Sequence, residues 1–369
     1  MTKGEKVTKG DCIKNACITS VTLVAILSGA GVNAQAQTTL QLTGLIDSYV
    51  GVNRLSGMSQ SVINVGAGGM STSWFGLIGT EDLGGGLQAD FALTSFFKGD
   101  TGMQGRFSTD TMFSRDANIG LKGRFGAIHI GAYTSPNFFP TVRFNPFGNS
   151  TVVSPLLLHS YVQTNGDRSV WRNSIAGDTG WSNQISYTTP TFMGMTVDLH
   201  YQLGEVAGHS GKKNVGARGS YVKGPLAIAT YVQRVKVNNP LDAGTPTSAL
   251  NSLGSPSSQR AWFIGASYDF SVAKLYSTYQ QAINNVEIRD RIIQLGAGIP
   301  AGSGIVLVSW AKTHRTGQAV GVDWKRNTAS LGYDHHLSKR TDLYTAFMTD
   351  KITESDRAKT YLIGIRHRF

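Results

Sequence analysis

Apolar and polar residues alternate with a period of two along most of the chain beyond residue 37. In the segment MTVDLHYQ, Met195, Val197 and Leu199 fall on one face of an extended strand, while Asp198 and His200 fall on the other. Successive side chains of a strand point to opposite faces, so each such segment has one apolar and one polar side. The sequence contains sixteen segments of this kind, among them 68–80, 110–122 and 360–369.

The connections between these segments alternate between short and long. Short ones include EDLGGG (81–86) and LSKR (337–340), and long ones include 136–167 and 238–259. Short turns on one rim, long loops on the other and aromatic residues at strand ends are typical of an outer-membrane barrel. Such a sheet must close, because an open edge in lipid would leave backbone groups without hydrogen bonds. The pattern therefore predicts an all-β fold, a sixteen-stranded antiparallel transmembrane β-barrel with short periplasmic turns and long extracellular loops.

The N-terminus has the features of a secretory signal peptide. Residues 16–32 are mostly small and apolar, and Ala34-Gln35-Ala36 fits the rule for a cleavage site. Four lysines precede the apolar stretch: Lys3, Lys6, Lys9 and Lys14. We therefore expect residues 1–36 to be removed, which leaves 37–369 as a single barrel domain. An uncleaved anchor is the alternative, which the short, Ser- and Gly-diluted apolar run disfavours.

Composition limits the chemistry available to the predicted mature chain. The two cysteines, Cys12 and Cys17, both lie in the leader, so disulfides, thiolate metal sites and a cysteine nucleophile are excluded for 37–369. The net charge of +11 falls to +9 when four lysines and two acidic residues of the leader are removed. The positive residues are scattered and the protein is exported. This argues against nucleic acid as a partner and favours a polyanionic membrane surface or an anion-attracting channel.

Several motifs carry a family resemblance. The segments LTGLIDSYVGV (42–52), FGLIGTEDLGGGLQADF (75–91), YDHHLSKRTDLY (333–344) and GIRHRF (364–369) resemble the general diffusion porins of Gram-negative bacteria, in particular their β-proteobacterial branch. The resemblance implies an outer-membrane homotrimer for the passive diffusion of ions and small hydrophilic solutes, in contact with lipid and lipopolysaccharide. It also implies that the third long loop, 136–167, folds into the lumen and forms a constriction.

The last strand ends on an aromatic residue, and its apolar side is formed by Tyr361, Ile363, Ile365 and Phe369. The resemblance marks this terminal strand as the signal that the barrel-assembly machinery recognises. We therefore expect it to be the closing strand, with its apolar side towards lipid.

Wall residues of the constriction follow from the same resemblance. Porins of this family set basic wall residues against acidic residues of the inward loop. Arg115 matches one wall arginine and Arg172 another, whereas Trp74 stands where a third arginine is expected. Asp47 is predicted to face the lumen, because an unpaired charge on a lipid face is costly. Arg115 could instead be a rim residue, since its phase with Ala117 puts it on the apolar side of its segment.

The predicted constriction loop departs from the family pattern. Residues 135–166 contain no Asp or Glu but include Arg143. Phe144 and Phe147 belong to the same loop, and we expect them to pack it against the wall rather than to stack on solute. Together with Trp74 they are predicted to narrow the aperture. A positive loop in a confined pore predicts a moderate preference for anions.

Two other functions remain open at this point. A barrel-embedded hydrolase could use Asp198 and His200 with one of many serines. An adhesin or structural barrel would have binding loops but no open lumen. No metal or cofactor is predicted: His335 and His336 lie on opposite faces of a strand and cannot chelate one ion together.

Overall fold

The structure is a computed structural model that describes residues 38–164, 173–205, 207–208, 213–236, 258–285, 287–317 and 323–369. The predicted signal peptide 1–36, Arg172 and nearly all of 238–259 lie outside these ranges. The described strands are β1 (Thr39–Asn53), β2 (Val62–Ala67), β3 (Trp74–Gly84), β4 (Leu87–Phe96), β5 (Asp116–Gly123), β6 (Gly126–Thr134), β7 (Gly180–Thr188), β8 (Met195–Gln202), β9 (Val215–Lys223), β10 (Leu226–Val235), β11 (Gln259–Asp269), β12 (Lys274–Asn284), β13 (Arg289–Ala301), β14 (Gly304–Thr316), β15 (Trp324–His336), β16 (Thr341–Ile352) and β17 (Ala358–Arg368). Two short helices, α1 (Phe138–Arg143) and α2 (Pro155–Tyr161), lie between β6 and β7.

The strands form one antiparallel sheet that closes where β1 pairs with β17. Both β2 and β3 pair with β1, β2 with its second half and β3 with its first half. β2 and β3 are therefore the two halves of one interrupted strand. Each place that one strand occupies in the barrel is here called a wall position, and the barrel has sixteen wall positions, as predicted. The predicted continuous strand over 68–80 is wrong in its first half, because residues 68–73 leave the ladder between β2 and β3.

Burial alternates along the strands in the way the period of two requires. On β13, Asp290, Ile292 and Gln294 are buried, whereas Ile293 and Leu295 are 44% and 50% exposed. The buried positions point into the barrel and the exposed apolar positions point outward. The outward face is therefore the one that meets lipid, and the polar face lines the lumen.

The two rims differ as expected. Strands β3 and β4, β5 and β6, and β13 and β14 are joined by tight turns on one rim, which we call the periplasmic rim following the predicted orientation. The opposite, extracellular rim carries the long connections, including the segment between β6 and β7 that contains both helices. In the described part of the chain, no helix is long and apolar enough to cross a membrane.

The apolar core lies inside the barrel, where the segment between β6 and β7 meets the inner wall. One cluster includes Phe144, Leu156, Tyr231 and Phe263, all fully buried. A second cluster surrounds Phe147 and includes the wall residue Tyr344. Because each cluster combines loop and wall residues, the segment 135–164, here called the third loop, is packed onto the wall as predicted.

Candidate functional site

The third loop begins against β10 and runs along the inner wall towards β15. Asn137 donates from Nδ2 to Oε1 of Gln233 on β10 at 3.1 Å. Beyond α1, successive loop residues lie over glycines that point into the lumen. A Cβ added to Gly296 of β13 would stand 2.6 Å from Pro146, and one on Gly332 of β15 would stand 2.9 Å from the Phe147 ring. These glycines leave the space that the loop occupies, since any side chain there would collide with it.

The tip of the loop reaches the interrupted wall position. The Ser150 hydroxyl donates to the carbonyl oxygen of Gly69, between β2 and β3, at 2.7 Å. The chain then turns back, and the Ser330 hydroxyl of β15 donates to the carbonyl oxygen of Val153 at 2.7 Å. The loop therefore covers the inner wall from β9 to β15, reaches the interruption between β2 and β3, and leaves β3 to β8 as the uncovered side of the passage.

The returning leg is anchored through a buried histidine on α2. The two ring nitrogens of His159 lie 2.6 Å from the Thr313 hydroxyl and 2.8 Å from the Thr328 hydroxyl. Arg326 donates to the carbonyl oxygen of Leu158 and forms an ion pair with Asp350. Burial holds the pKa of His159 well below its usual value, and the nearby Arg326 charge lowers it further. His159 is therefore neutral at ordinary pH.

Asp47 points inward as predicted, but its carboxylate is enclosed rather than exposed to the passage. It accepts backbone N–H bonds from Gly69 and Met70 at 3.0 Å and from Ser71 at 2.7 Å. The Tyr344 hydroxyl donates to the same carboxylate, which is fully buried. The prediction that Asp47 lines the constriction is therefore wrong: it holds the irregular stretch 68–73 in place, because backbone amides need an acceptor where the ladder is interrupted.

Trp74 and Arg115 form a stack on the uncovered side of the lumen. The guanidinium carbon of Arg115 lies 3.8 Å from the centre of the Trp74 ring. Its Nη1 donates to Asp116 at 2.9 Å and to the Thr94 hydroxyl at 3.3 Å. β5 begins only at Asp116, so Arg115 precedes the strand and its side chain can reach lumenal neighbours despite its phase. Both side chains thus lie on the lumenal side of the wall.

A second arginine stack was not predicted. The guanidinium carbon of Arg218 on β9 lies 4.8 Å from the ring centre of Phe139 on α1, across the gap between wall and loop. Arg218 also forms an ion pair with Asp198 of β8 at 2.8 Å. Cation–aromatic contacts of this kind favour guanidinium groups. The alternation of β9 could have indicated that Arg218 faces inward, but nothing in the sequence links it to Phe139.

Most lumenal carboxylates are neutralised by a neighbouring cation. Ion pairs join Asp290 to Arg315 at 2.6 Å and Asp90 to Lys122 at 2.5 Å, on opposite sides of the barrel. Arg366 on β17 bridges Asp334 and Asp342 at 2.8 and 2.9 Å. The inner wall therefore presents paired charges, and a side chain without an ion pair has a disproportionate effect on the field in the passage.

Arg143 is such a side chain. It is exposed at the end of α1, and no ion pair to it occurs among the described residues. It lines a cavity of about 450 Å³ together with Ser267, Asp269 and Lys274, next to the turn that joins β11 to β12. The loop thus carries its positive charge towards the periplasmic end of the lumen.

Phe144 and Phe147 do not line the passage. Both are fully buried. A Cβ on Gly265 would stand 2.9 Å from the Phe144 ring, so this residue is also packed on the wall. The expectation that these rings pack the loop against the wall agrees with their burial. The expectation that Phe144 and Phe147 narrow the aperture is wrong, because both are buried; the exposed loop phenylalanine is Phe139, whose ring lies against Arg218 of β9.

The other candidate chemistries have no support in the geometry. Asp198 is held by Arg218, and His200 Nδ1 lies 3.2 Å from Gln184, so these two residues do not form a catalytic pair. Side chains of Asp334, His336 and Asp342 come within 4.8 Å of one another. Arg366 already occupies the space between the two carboxylates, so the cluster does not fit a metal ion.

The terminal strand closes the barrel with its apolar side outward. Tyr361, Ile363, Ile365 and Phe369 are 49%, 64%, 46% and 41% exposed. Phe369 exchanges two backbone hydrogen bonds of 3.0 Å with Gly44 of β1. The last residue thus belongs to the seam between the first and last strands.

A closed antiparallel barrel of sixteen wall positions, apolar outside and polar inside, with a loop folded into its lumen, defines an outer-membrane channel. Comparison with known proteins identifies the family. The model of the Gram-negative porin family matches residues 20–355, and the chain belongs to this family. It is 31% identical to outer membrane porin protein 32 of Delftia acidovorans over 90% of each chain. It is 27% identical to an outer membrane porin protein of Bordetella pertussis over 94% of this chain and 98% of the relative.

A solved structure gives the same result for the fold. The anion-selective porin from Comamonas acidovorans superposes with a TM-score of 0.72 and 26% identity, covering 90% of this chain and all of that one. The protein is therefore an outer-membrane porin of a Gram-negative bacterium, a water-filled channel rather than an enzyme, and the hydrolase and adhesin alternatives are not supported.

Proposed function

We propose that this porin conducts anions in preference to cations, and that Arg143 makes the largest single contribution. The observation that carries this proposal is the charge balance of the lumen: Asp90, Asp198, Asp290, Asp334 and Asp342 are each paired with a cation, whereas Arg143 is exposed and has no ion pair among the described residues. The third loop adds no carboxylate of its own between 135 and 164. In a narrow pore, a charge close to a passing ion is weakly screened.

Two further features support the same proposal. Arg115 lies over Trp74 on the uncovered side of the lumen, and Arg218 lies over Phe139 at the edge of the third loop. Both present positive edges to a permeating ion, although each has a carboxylate partner. A relative of 26% identity is an anion-selective porin. The preference is moderate, because a porin lumen stays wide and hydrated.

The reversal potential of single channels in a KCl gradient tests the proposal. We expect anion preference in the wild type, a smaller one in Arg143→Gln, and a loss or reversal in Arg143→Glu. Lys339→Glu, at an exposed periplasmic turn, makes the same change of charge outside the lumen and should leave the potential unchanged. A cation-selective wild type, or equal effects of Arg143→Glu and Lys339→Glu, would refute it.

We also infer the biogenesis and assembly of the porin from the family resemblance. Residues 1–36 are a cleaved signal peptide, the barrel-assembly machinery recognises the terminal strand, and three copies form a homotrimer that contacts lipid and lipopolysaccharide. No catalytic step accompanies passage. Electrophoresis in SDS without heating tests the trimer: a band at the monomer mass alone would contradict it.

A further inference from the structure

The cavity at the periplasmic end of the lumen contains charges of both signs. It has a volume of about 450 Å³ and lies between the end of α1 and the turns that join β9 to β10 and β11 to β12. Its charges are Arg143 from α1, Asp269 from β11 and Lys274 from β12. The volume falls in the range of sites that hold small molecules, about 300–1,000 Å³.

Small side chains form the floor of this cavity. Ala227 of β10 and Ser267 of β11 are cross-strand partners, and both are buried. Val222 of β9 stands opposite Ala227 on one side. Tyr276 of β12 stands opposite Ser267 on the other side. Two small residues between two larger ones leave a depression in the wall next to Arg143 of the third loop.

The floor contains a buried hydroxyl without a partner. Ser267 is 3% exposed, and its Oγ atom makes no hydrogen bond within the part of the chain that the structure describes. A buried hydroxyl without a hydrogen bond is costly, so such groups normally bond to protein, water or a ligand. Because Ser267 lines the cavity, its hydroxyl is placed to donate to a ligand there.

The three charges of the cavity are available to a ligand. Asp269 and Lys274 are cross-strand partners, but Lys274 Nζ lies over the ring of Tyr276, 5.4 Å from its centre. Asp269 Oδ1 accepts only the backbone N–H of Ser271, at 2.8 Å. Among the described residues, no ion pair involves Arg143, Asp269 or Lys274. The cavity thus holds two cations and one carboxylate whose charges are not neutralised by an ion pair there.

We propose that this cavity binds amino acids with an acidic side chain, such as glutamate, during their passage. Such a molecule carries two carboxylates and one ammonium group, which complements two cations and one carboxylate. Its carboxylates contact Arg143 and Lys274, since guanidinium and ammonium groups both bind carboxylates. Its ammonium group contacts Asp269, and the Ser267 hydroxyl donates to a carboxylate oxygen. The inference rests on the proposed preference for anions, because Arg143 contributes to both.

The carboxylate of the cavity discriminates between classes of solute. A dicarboxylate or a phosphate would bring a like charge to Asp269, whereas an ammonium group is attracted to it. An amino acid with an uncharged side chain would leave one of the two cations without a partner. An acidic amino acid therefore satisfies all three charges at once.

Partial block of the single-channel KCl current by solute added on both sides tests the inference. Glutarate is the comparison, because it has the two carboxylates of glutamate but no ammonium group. We expect the half-blocking concentration of glutamate to be about tenfold lower than that of glutarate in the wild type, as one charge-assisted contact provides. Asp269→Asn should remove this difference. Lys274→Gln should raise the half-blocking concentrations of both solutes about fivefold.

Two control variants remove charges elsewhere on the periplasmic rim. Asp82→Asn and Lys339→Gln change exposed residues and should leave both half-blocking concentrations as in the wild type. Heat-modifiable migration checks that each variant is folded.

Two results would overturn the inference. Equal half-blocking concentrations of glutamate and glutarate in the wild type would show that no group in the channel recognises the ammonium. A preference for glutamate that persists in folded Asp269→Asn would place its binding outside this cavity. The reversal potential in KCl is a separate measurement: an anion-preferring channel that does not distinguish the two solutes refutes this inference alone, and a cation-selective channel refutes the proposed function.

Discussion

The hydroxyl of Ser150 donates a 2.7 Å hydrogen bond to the carbonyl oxygen of Gly69. Ser150 belongs to the tip of the third loop, and Gly69 to the stretch where the wall position formed by β2 and β3 is interrupted. The loop tip therefore docks on residues 68–73, where the strand is interrupted. Asp47 holds this stretch in shape by accepting three backbone N–H bonds, so one carboxylate supports the wall and, through Gly69, the far end of the loop.

Asp47→Asn should destabilise both features. The amide replaces one acceptor oxygen with a donor that faces backbone N–H groups, which costs about 2–3 kcal/mol in free energy of unfolding. Urea unfolding in detergent micelles measures this cost, and proteolysis within 68–73 reports local opening. Asp100→Asn, at an exposed loop position, is the control and should change stability by less than about 0.5 kcal/mol. A native-like Asp47→Asn protein would contradict the role assigned to this carboxylate.

Phe147→Ala should loosen the loop from the wall. The ring is fully buried over Gly332, so its removal leaves a cavity and costs about 3–5 kcal/mol in free energy of unfolding. We also expect more current noise in open channels, because the loop tip becomes mobile. Phe125→Ala, at an exposed turn, should have a much smaller effect on both. If the two variants behave alike, Phe147 does not hold the loop.

Acidic pH should weaken loop docking through His159. Burial and the charge of Arg326 lower the pKa of His159 when the loop is docked. When the loop is released, this pKa returns to the ordinary histidine value of about 6.5. The undocked state therefore binds the proton more readily. Docking stability is complete above about pH 6.5 and falls by about 1.4 kcal/mol per pH unit below it until the lowered pKa is reached.

Current noise and channel closures recorded from neutral to acidic pH measure this effect. His159→Gln keeps groups that can bond Thr313 and Thr328 but cannot titrate in this range. The difference in pH dependence between wild type and His159→Gln gives the contribution of His159 alone, because the many lumenal carboxylates are the same in both proteins. The prediction fails if both proteins show the same dependence on pH.

Deletion of Phe369 should impair assembly of the barrel. The residue contributes two backbone hydrogen bonds to Gly44 at the seam and belongs to the terminal strand that the family resemblance marks as the insertion signal. We expect less folded protein in the outer membrane, measured by heat-modifiable migration of membrane fractions. Leu337→Ala, an exposed apolar residue in a periplasmic turn, serves as the control. Normal levels after the deletion would exclude an essential role for Phe369.

The architecture of the wall could be predicted from the sequence, because the period of two records which side of each strand meets lipid. The number of wall positions, the inward direction of Asp47 and the outward side of the terminal strand all follow from it. The same pattern assigned Arg115 to the apolar face, which is wrong. The alternation of faces applies only within a strand, and β5 begins one residue after Arg115.

The site itself could be predicted only in part. The interruption at 68–73 depends on acceptors from Asp47 and contacts from the loop, which come from distant parts of the chain. The Arg218–Phe139 stack and the position of Arg143 depend in the same way on the path of the third loop across the wall. The family resemblance indicated that this loop enters the lumen, and the sequence showed that it lacks carboxylates. A local pattern holds no information on which glycines of the wall the loop contacts.

The anchors of the third loop also order the events of folding. Gly69 comes from the first strands to be synthesised, and Gly332 and Ser330 come from near the C-terminus. Gly69 comes together with the anchors on β15 only when β17 has paired with β1, and contacts between such distant residues form late. The loop tip thus docks on Gly69 only in a closed barrel. An unclosed intermediate has an unobstructed interior, and protection of the Ser150 region from protease marks the moment at which the nascent channel becomes complete.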